Sequence, residues 1–251
     1  MARIAVGLLA AVAALLAPAP HSTAAEGESA VIQPANNDIG NVASLQRGAK
    51  YFVNYCLGCH SATYVRYNRL AEDLGITEEQ LIENLMFTGE RPHDTMISAM
   101  STADAVRWFG TAPPDLSLIA RSRGTDWIYS YLKSFYLDDD RPTGTNNLVL
   151  EGTAMPHVLW ELQGWQKPAV HQAGGDAGLD VAIARLEPVV EGMLSAEEYD
   201  RVVRDVANFL EYLSEPVQLE RRRLGIRVIL FLLVFLLVAY MLKKEYWKQV
   251  H

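Results

Sequence analysis

The chain has 251 residues, of which 30 are acidic and 22 basic, so its formal charge at neutral pH is −8. An acidic chain repels the phosphates of nucleic acids, which excludes a general nucleic-acid-binding protein. The length is sufficient for one domain with a hydrophobic core, together with separate terminal segments.

Residues 1–25 have the composition of a secretory signal peptide. Arg3 precedes an apolar run at 4–17, and small residues then lead to Glu26. An N-terminal membrane anchor is the alternative, but the run is shorter than the ~20 residues that a membrane span needs. We therefore predict cleavage after Ala25 and export of the segment that follows.

The predicted exported segment, residues 26–220, holds 29 of the 30 acidic residues but 14 of the 22 basic ones, so its formal charge is −15. We predict that it forms one domain. Its acidity suits a basic protein partner, or it serves solubility alone. The acidic residues proposed for partner contacts are Glu72, Asp73, Glu78, Glu79, Glu83, Asp138, Asp139 and Asp140.

A helix predicted from about Val42 leads into the sequence YCLGCH, which contains the only two cysteines of the chain, Cys56 and Cys59, followed at once by His60. A disulfide between these cysteines would link two residues of one helical turn and would not connect separate parts of the chain. A zinc site needs four ligands, and the remaining histidines after residue 25 are scattered singly. A thioredoxin-like dithiol needs a βαβ pattern, which is absent here.

Covalent haem explains every feature of this motif. The thiols of Cys56 and Cys59 lie on one side of a helical turn, where both can form thioethers with the vinyl groups of one haem. His60 is then placed to ligate the iron as the proximal ligand. A single motif of this kind predicts one covalently attached haem c.

Helical patterns follow the motif. Thr77 to Gln80 form a capping box that opens a helix at 77–87, and one or two helices are predicted within 115–137. The i, i+4 spacing of Met96 and Met100 is typical of a buried helix face. The glycine-containing segment 163–180 is predicted to be a surface loop.

The iron has a second axial position, and methionine there is typical of an electron carrier. Met155 follows small residues and precedes Pro156, in extended or turn-like backbone that can be pressed onto a haem face. From spacing and context alone His157, Met100 and Met96 remain rival ligands.

The C-terminal part contains a long amphipathic helix and then a membrane anchor. Ser195 and Glu198 form a capping box, and Pro216 interrupts the helix that follows. Residues 224–242 are apolar except for Arg227, and at ~1.5 Å per residue they span the ~30 Å hydrocarbon layer. Because the signal peptide exports the preceding domain, the tail 243–251 is predicted to be cytoplasmic.

In this order, the signal peptide, the Cys-x-x-Cys-His motif, APPDLSLIARSRG (112–124), GTAMPH, EEYDRVVRDVANFLEYLSEP and the single anchor resemble the cytochrome c1 family. These are the haem-bearing subunits of the ubiquinol–cytochrome c reductase (cytochrome bc1) complex. The resemblance implies a mainly α, cytochrome c-like haem domain with long loops and one C-terminal transmembrane helix.

The resemblance also implies roles for individual residues. Met155 would be the sixth iron ligand, Pro113 and Pro114 would line the haem, and Arg121 would pair with a haem propionate. One departure from the family is the Pro-His pair after Met155, which leaves the role of His157 open.

The implied function is transfer of single electrons from a Rieske iron–sulfur protein to cytochrome c, beside cytochrome b in a bacterial inner membrane with the haem domain in the periplasm. Membrane lipid would surround the anchor, and enzyme activity would belong to the complex rather than to this subunit. One alternative is an anchored cytochrome that serves another terminal oxidase or reductase. Another is a haem enzyme or gas sensor, which requires that Met155 is not a ligand.

Overall fold

Helices account for most of the secondary structure in the computed structural model, which describes residues 32–170 and 183–249. The chain is therefore mainly α, as predicted. The predicted signal peptide lies outside the described residues. The helices are α1 (Val42–Tyr51), α2 (Tyr67–Leu74), α3 (Glu78–Asn84), α4 (Thr102–Phe109), α5 (Ile119–Arg123), α6 (Thr125–Lys133), α7 (Trp160–Gln163), α8 (Ala196–Ser214) and α9 (Gln218–Tyr246).

The strands of the described segments form three separate antiparallel pairs. These are β1 (Ala62–Arg66) with β2 (Thr95–Met96), β3 (Phe135–Leu137) with β4 (Thr145–Asn147), and β5 (Gly164–Val170) with β6 (Ile183–Glu191).

The predicted capping boxes are both confirmed. The side chain of Thr77 accepts from the backbone N–H of Gln80 at the start of α3, and Ser195 and Glu198 cap α8 in the same way. Each box satisfies two backbone N–H groups that a helix start leaves without an intrahelical partner. Helix α3 ends at Asn84, three residues before the predicted end.

The prediction of a surface loop at 163–180 is wrong for Gly164–Val170, which form β5; residues 171–182 lie outside the described part of the chain. The backbones of β5 and β6 meet closely, since a Cβ added to Gly164 would lie 2.1 Å from the carbonyl oxygen of Val190. Strand formation depends on the partner strand, and here the partner lies beyond the glycine-containing segment.

The prediction of a helix face at Met96 and Met100 is also wrong. Met96 lies in β2 and is fully buried, whereas Met100 follows β2 in irregular backbone, where its N–H donates to the carbonyl of Gly58 over 3.2 Å. The pairing of β2 with β1 buries Met96, and local spacing does not reveal a partner from another part of the chain.

The core is organised around the crossing of α1 and α8. At this crossing a Cβ on Gly48 would lie 2.2 Å from the carbonyl oxygen of Asp205 and 2.6 Å from Cβ of Phe209. The ring of Phe52, just after α1, packs on that of Phe209 with centroids 5.5 Å apart. Glycine at position 48 therefore permits a backbone approach that other residues would block.

Polar contacts reinforce this crossing. The buried carboxylate of Asp205 on α8 accepts from Ser44 Oγ over 2.6 Å and from two nitrogens of Arg47 over 2.6 and 2.9 Å. A bidentate arginine contact is directional, and its satisfied carboxylate avoids the cost of an unpaired buried charge. The register of α1 on α8 is thus set by both packing and hydrogen bonds.

Helix α9 has 29 residues, about 44 Å at the α-helical rise, and includes the predicted anchor at 224–242. Among the residues that the structure describes, it is the one helix long and apolar enough to cross a membrane. Its apolar side chains face outward rather than into the core.

We expect Gly48→Ala to lower the free energy of unfolding by about 1–3 kcal/mol, because the added methyl group overlaps backbone atoms of α8. Denaturant unfolding followed by circular dichroism would measure this loss. Gly225→Ala is the matched control, since a Cβ there meets nothing within 4 Å. Equal midpoints for the two variants would contradict the crossing geometry.

Candidate haem site

Six of the seven predicted haem residues meet at a cavity of about 990 Å³. Its wall is predominantly apolar and includes the Cys-x-x-Cys-His turn, the segment before α5, parts of α6 and α8, and the segment before α7. Of the residues predicted to serve the haem, the cavity wall contains Cys56, Cys59, His60, Pro113, Pro114 and Met155.

The two cysteines lie where α1 continues into a π-helical turn, Phe52–Cys56. The amides of Cys59 and His60 both donate to the carbonyl of Cys56, over 3.0 and 2.8 Å, so the motif itself is a tight turn. Within the described part of the chain neither cysteine forms a disulfide, so both sulfurs are available for thioether bonds. Burial raises the pKa of Cys56 to about 12, which keeps this thiol uncharged against the apolar wall.

The orientation of His60 is set by a backbone carbonyl. Its Nδ1 lies 2.8 Å from the carbonyl oxygen of Pro114. A carbonyl only accepts hydrogen bonds, so the proton is on Nδ1 and the lone pair is on Nε2, as an iron ligand requires. Burial lowers the pKa of His60, which also favours the neutral ring.

Asp115 and Ser117, which are not among the predicted site residues, bind the backbone that follows His60. The Asp115 carboxylate accepts from Thr63 N over 3.0 Å, and Ser117 Oγ accepts from Tyr64 N over 3.1 Å. Burial opposes ionisation of Asp115, but hydrogen bonds from Ser117 and Thr63 outweigh it and lower its pKa. In the sequence, the signal that could have identified Asp115 and Ser117 is their position directly after Pro113 and Pro114.

The two arginines of α5 differ in their position relative to the cavity. Arg121, predicted to pair with a propionate, is exposed and lies outside the cavity wall. Arg123 is the only Lys or Arg on that wall among the described residues. Its guanidinium lies 5.1 Å from the ring centroid of Trp127, a cation–π contact that holds the charge at the cavity.

The four candidates for the second axial position also separate in space. Met155 lies on the cavity wall together with His60, whereas Met96, Met100 and His157 do not line it. Met155 is carried by irregular backbone between β4 and α7, consistent with the predicted extended or turn-like segment.

His157 has a packing environment of its own. It is 3% exposed, stacks on Phe135 with ring centroids 5.0 Å apart, and meets Trp165 edge-on at 5.8 Å. Neither ring nitrogen has a hydrogen-bond partner among the described residues. Burial lowers the pKa of His157 to about 4, so the ring is neutral at physiological pH.

These residues fit a haem c. The cavity is apolar, as a porphyrin requires, and its wall presents two thiols, a correctly oriented imidazole and a thioether. One guanidinium at the wall is available for a carboxylate of the group.

Comparison with known proteins identifies the family of this chain. The family model described as "Cytochrome C1 family" matches residues 38–250. The chain belongs to the cytochrome c1 family. It is therefore a c-type cytochrome of the bc1 complex, in a family whose members carry haem c.

Three relatives are similar over most or all of this chain. Cytochrome c1 of Allochromatium vinosum is 53% identical, covering 95% of this chain and 98% of that protein. The protein named ammonia monooxygenase gamma subunit of Nitrosomonas europaea is 45% identical, covering 95% of this chain and 96% of its own length. Cytochrome b/c1 of Bradyrhizobium diazoefficiens is 25% identical over 100% of this chain and 40% of that protein.

We expect Arg123→Gln to lower the reduction potential by roughly 20–60 mV, because a nearby positive charge stabilises the reduced haem. Arg121→Gln is the matched control and should change the potential less, since Arg121 lies outside the cavity wall. Redox titration of the haem protein measures both. A larger shift for Arg121→Gln would instead support the propionate role implied by the family resemblance.

Proposed function

We propose that this chain is the membrane-anchored electron carrier that takes single electrons from a Rieske iron–sulfur protein and passes them to cytochrome c. The observation that carries the proposal is the shared cavity, which brings Cys56, Cys59 and His60 together with Met155. Family membership supports the same conclusion.

Haem supplies the one-electron chemistry, and the side chains decide what else can happen at the iron. Cys56 and Cys59 would hold the group covalently, so it stays in place through each cycle. His60, oriented by Pro114, and Met155 would both ligate the iron. A site filled in this way excludes oxygen and peroxide, which favours electron transfer over ligand chemistry.

The proposed topology follows from the two terminal segments. Residues 1–25 direct export and are removed, residues 26–220 form the haem domain in the bacterial periplasm, and residues 224–242 cross the inner membrane. The tail 243–251 then lies in the cytoplasm. The outward-facing apolar side chains of α9 support an anchor that contacts lipid and cytochrome b.

The proposed partners are cytochrome b, the Rieske protein and a cytochrome c acceptor. A relative named cytochrome b/c1 matches this entire chain over 40% of its own length, which supports a place beside cytochrome b. Two of the proposed acidic contacts have internal partners. Asp73 accepts from Arg69 and Tyr212, and Asp138 accepts from Asn146, whereas Glu78 and Glu79 are exposed on the first turn of α3.

We expect Met155→Leu to abolish the sulfur-to-iron charge-transfer band of the oxidised protein and to let the reduced protein bind carbon monoxide. The potential should fall by roughly 0.1 V or more, because axial ligation tunes haem potentials over about 0.8 V. Met193→Leu is the matched control, since Met193 is 78% exposed. A band that persists in Met155→Leu would show that another methionine, such as Met96 or Met100, ligates the iron. Absence of the band from the unaltered protein, together with ready carbon monoxide binding, would favour the alternative of an enzyme or gas sensor.

We expect the chain, purified from its host membrane in mild detergent, to carry cytochrome b and an iron–sulfur protein with it. A version truncated before α9 should lose both partners while keeping its haem spectrum. Recovery of a different set of partners would instead support a carrier for another complex. The name of the Nitrosomonas europaea relative makes that second outcome worth testing.

A further inference from the structure

Strand β4 consists entirely of buried polar residues. Asn146 is 6% exposed and Asn147 is 1% exposed, and Thr145 before them is equally inaccessible. Buried side-chain amides are costly unless each polar atom has a partner. Their hydrogen bonds therefore indicate why these asparagines are tolerated in the interior.

The side chain of Asn147 joins two segments of the chain. Its Oδ1 accepts from the backbone N–H of Val149 over 2.8 Å and of Leu150 over 3.2 Å. Its Nδ2 donates to the carbonyl oxygen of Tyr131 on α6 over 2.8 Å. Asn147 thus connects the backbone just after β4 to a helix that lines the cavity.

Asn146 binds the same stretch of chain further along. Its Oδ1 accepts from the backbone N–H of Gly152 over 2.8 Å, while its Nδ2 donates to Asp138 over 2.9 Å. Gly152 lies on the cavity wall and has φ +73, a left-handed turn conformation that glycine adopts without strain. Asn146 therefore holds that turn against the loop between β3 and β4.

The stretch held in this way, residues 148–155, is the strap that carries Met155 to the cavity. All of its residues are described, and they form neither helix nor strand. Three strap amides, those of Val149, Leu150 and Gly152, donate to asparagine side chains. A further contact joins Thr153 Oγ1 to the hydroxyl of Tyr131 over 2.8 Å.

We propose that Asn146 and Asn147 are positioning residues that hold the strap where the Met155 thioether reaches the iron. The proposal rests on the proposed role of Met155 as axial ligand. A thioether ligand on an unrestrained loop would lose conformational entropy each time it bound, and a loop already held in place avoids that loss. Side-chain amides supply both donors and acceptors without burying a charge.

The test uses the full-length haem protein in detergent. Asn147→Ala removes the acceptor for two strap amides, and Asn146→Ala removes the acceptor for one. Asn208→Ala is the matched control: Asn208 is fully buried on α8, and its Nδ2 donates to Asp38 O over 2.8 Å and Ser44 Oγ over 3.0 Å, away from the strap. Met155→Leu is the reference for complete loss of the ligand.

For Asn147→Ala we expect a weakened sulfur-to-iron band and a roughly tenfold rise in carbon monoxide affinity of the reduced protein, equivalent to about 1.4 kcal/mol. Asn146→Ala should show a smaller change in the same direction. Asn208→Ala should lower the denaturation midpoint but leave both signals unchanged, which separates positioning from general stability.

Wild-type band intensity and carbon monoxide affinity in Asn147→Ala would overturn the proposal, as would equal spectral changes in Asn208→Ala. If Asn147→Ala does not accumulate as a haem protein, unchanged signals in Asn146→Ala overturn it equally. Met155→Leu distinguishes the proposed ligand role of Met155 from the proposed positioning role of the asparagines. A band that persists in Met155→Leu refutes the assignment of Met155 as ligand. If Met155→Leu loses the band while both asparagine variants keep it at full intensity, only the positioning role of the asparagines is refuted.

Discussion

The close approach of α1 and α8 at Gly48 determines where the other parts of the cavity wall lie. Helix α1 continues directly into the turn that holds Cys56 and Cys59, while α8 supplies Val206 and Leu210 to the same wall. A larger side chain at Gly48 would push the two backbones apart and move the cysteine turn away from α8. The buried carboxylate of Asp205 adds direction to this contact, because its hydrogen bonds are formed in only one register.

Hydrogen bonds to a backbone carbonyl and to polar side chains position the segments that carry the two proposed iron ligands. On the histidine side, the carbonyl of Pro114 orients the ring of His60, and the carboxylate of Asp115 accepts a hydrogen bond from the backbone N–H of Thr63. On the methionine side, Asn147 performs a comparable role for the strap. Long loops around a haem gain the rigidity of a core element when their amides are satisfied by buried side chains. Such hydrogen bonds would let irregular backbone hold the two proposed ligands with little freedom of movement.

Local patterns in the sequence predicted a large part of this structure. The capping boxes, the long helix after Ser195 and the apolar C-terminal helix were predicted because their signals lie within one or two helical turns. The predictions failed where a partner from another part of the chain decided the outcome, as for Met96 in β2 and for the paired strand at Gly164–Val170. The asparagines of β4 were missed for the same reason, since a polar pair in a turn-rich segment looks like solvent-exposed loop.

The sequence by itself determined the proposed chemistry of the centre. Two cysteines three residues apart, followed at once by a histidine, predict thioether attachment and an imidazole ligand, because short-range spacing brings the two sulfurs to one edge of a porphyrin with the imidazole beside them. The tertiary structure alone decided which distant groups join them. It placed Met155 rather than His157 on the cavity wall, and Arg123 rather than Arg121, because packing on α6, β3 and β5 determines which side chains reach the cavity. The sequence predicts the geometry of residues that are close together in the chain. Which residues line the opposite wall of a cavity depends on contacts between segments that are far apart in the chain.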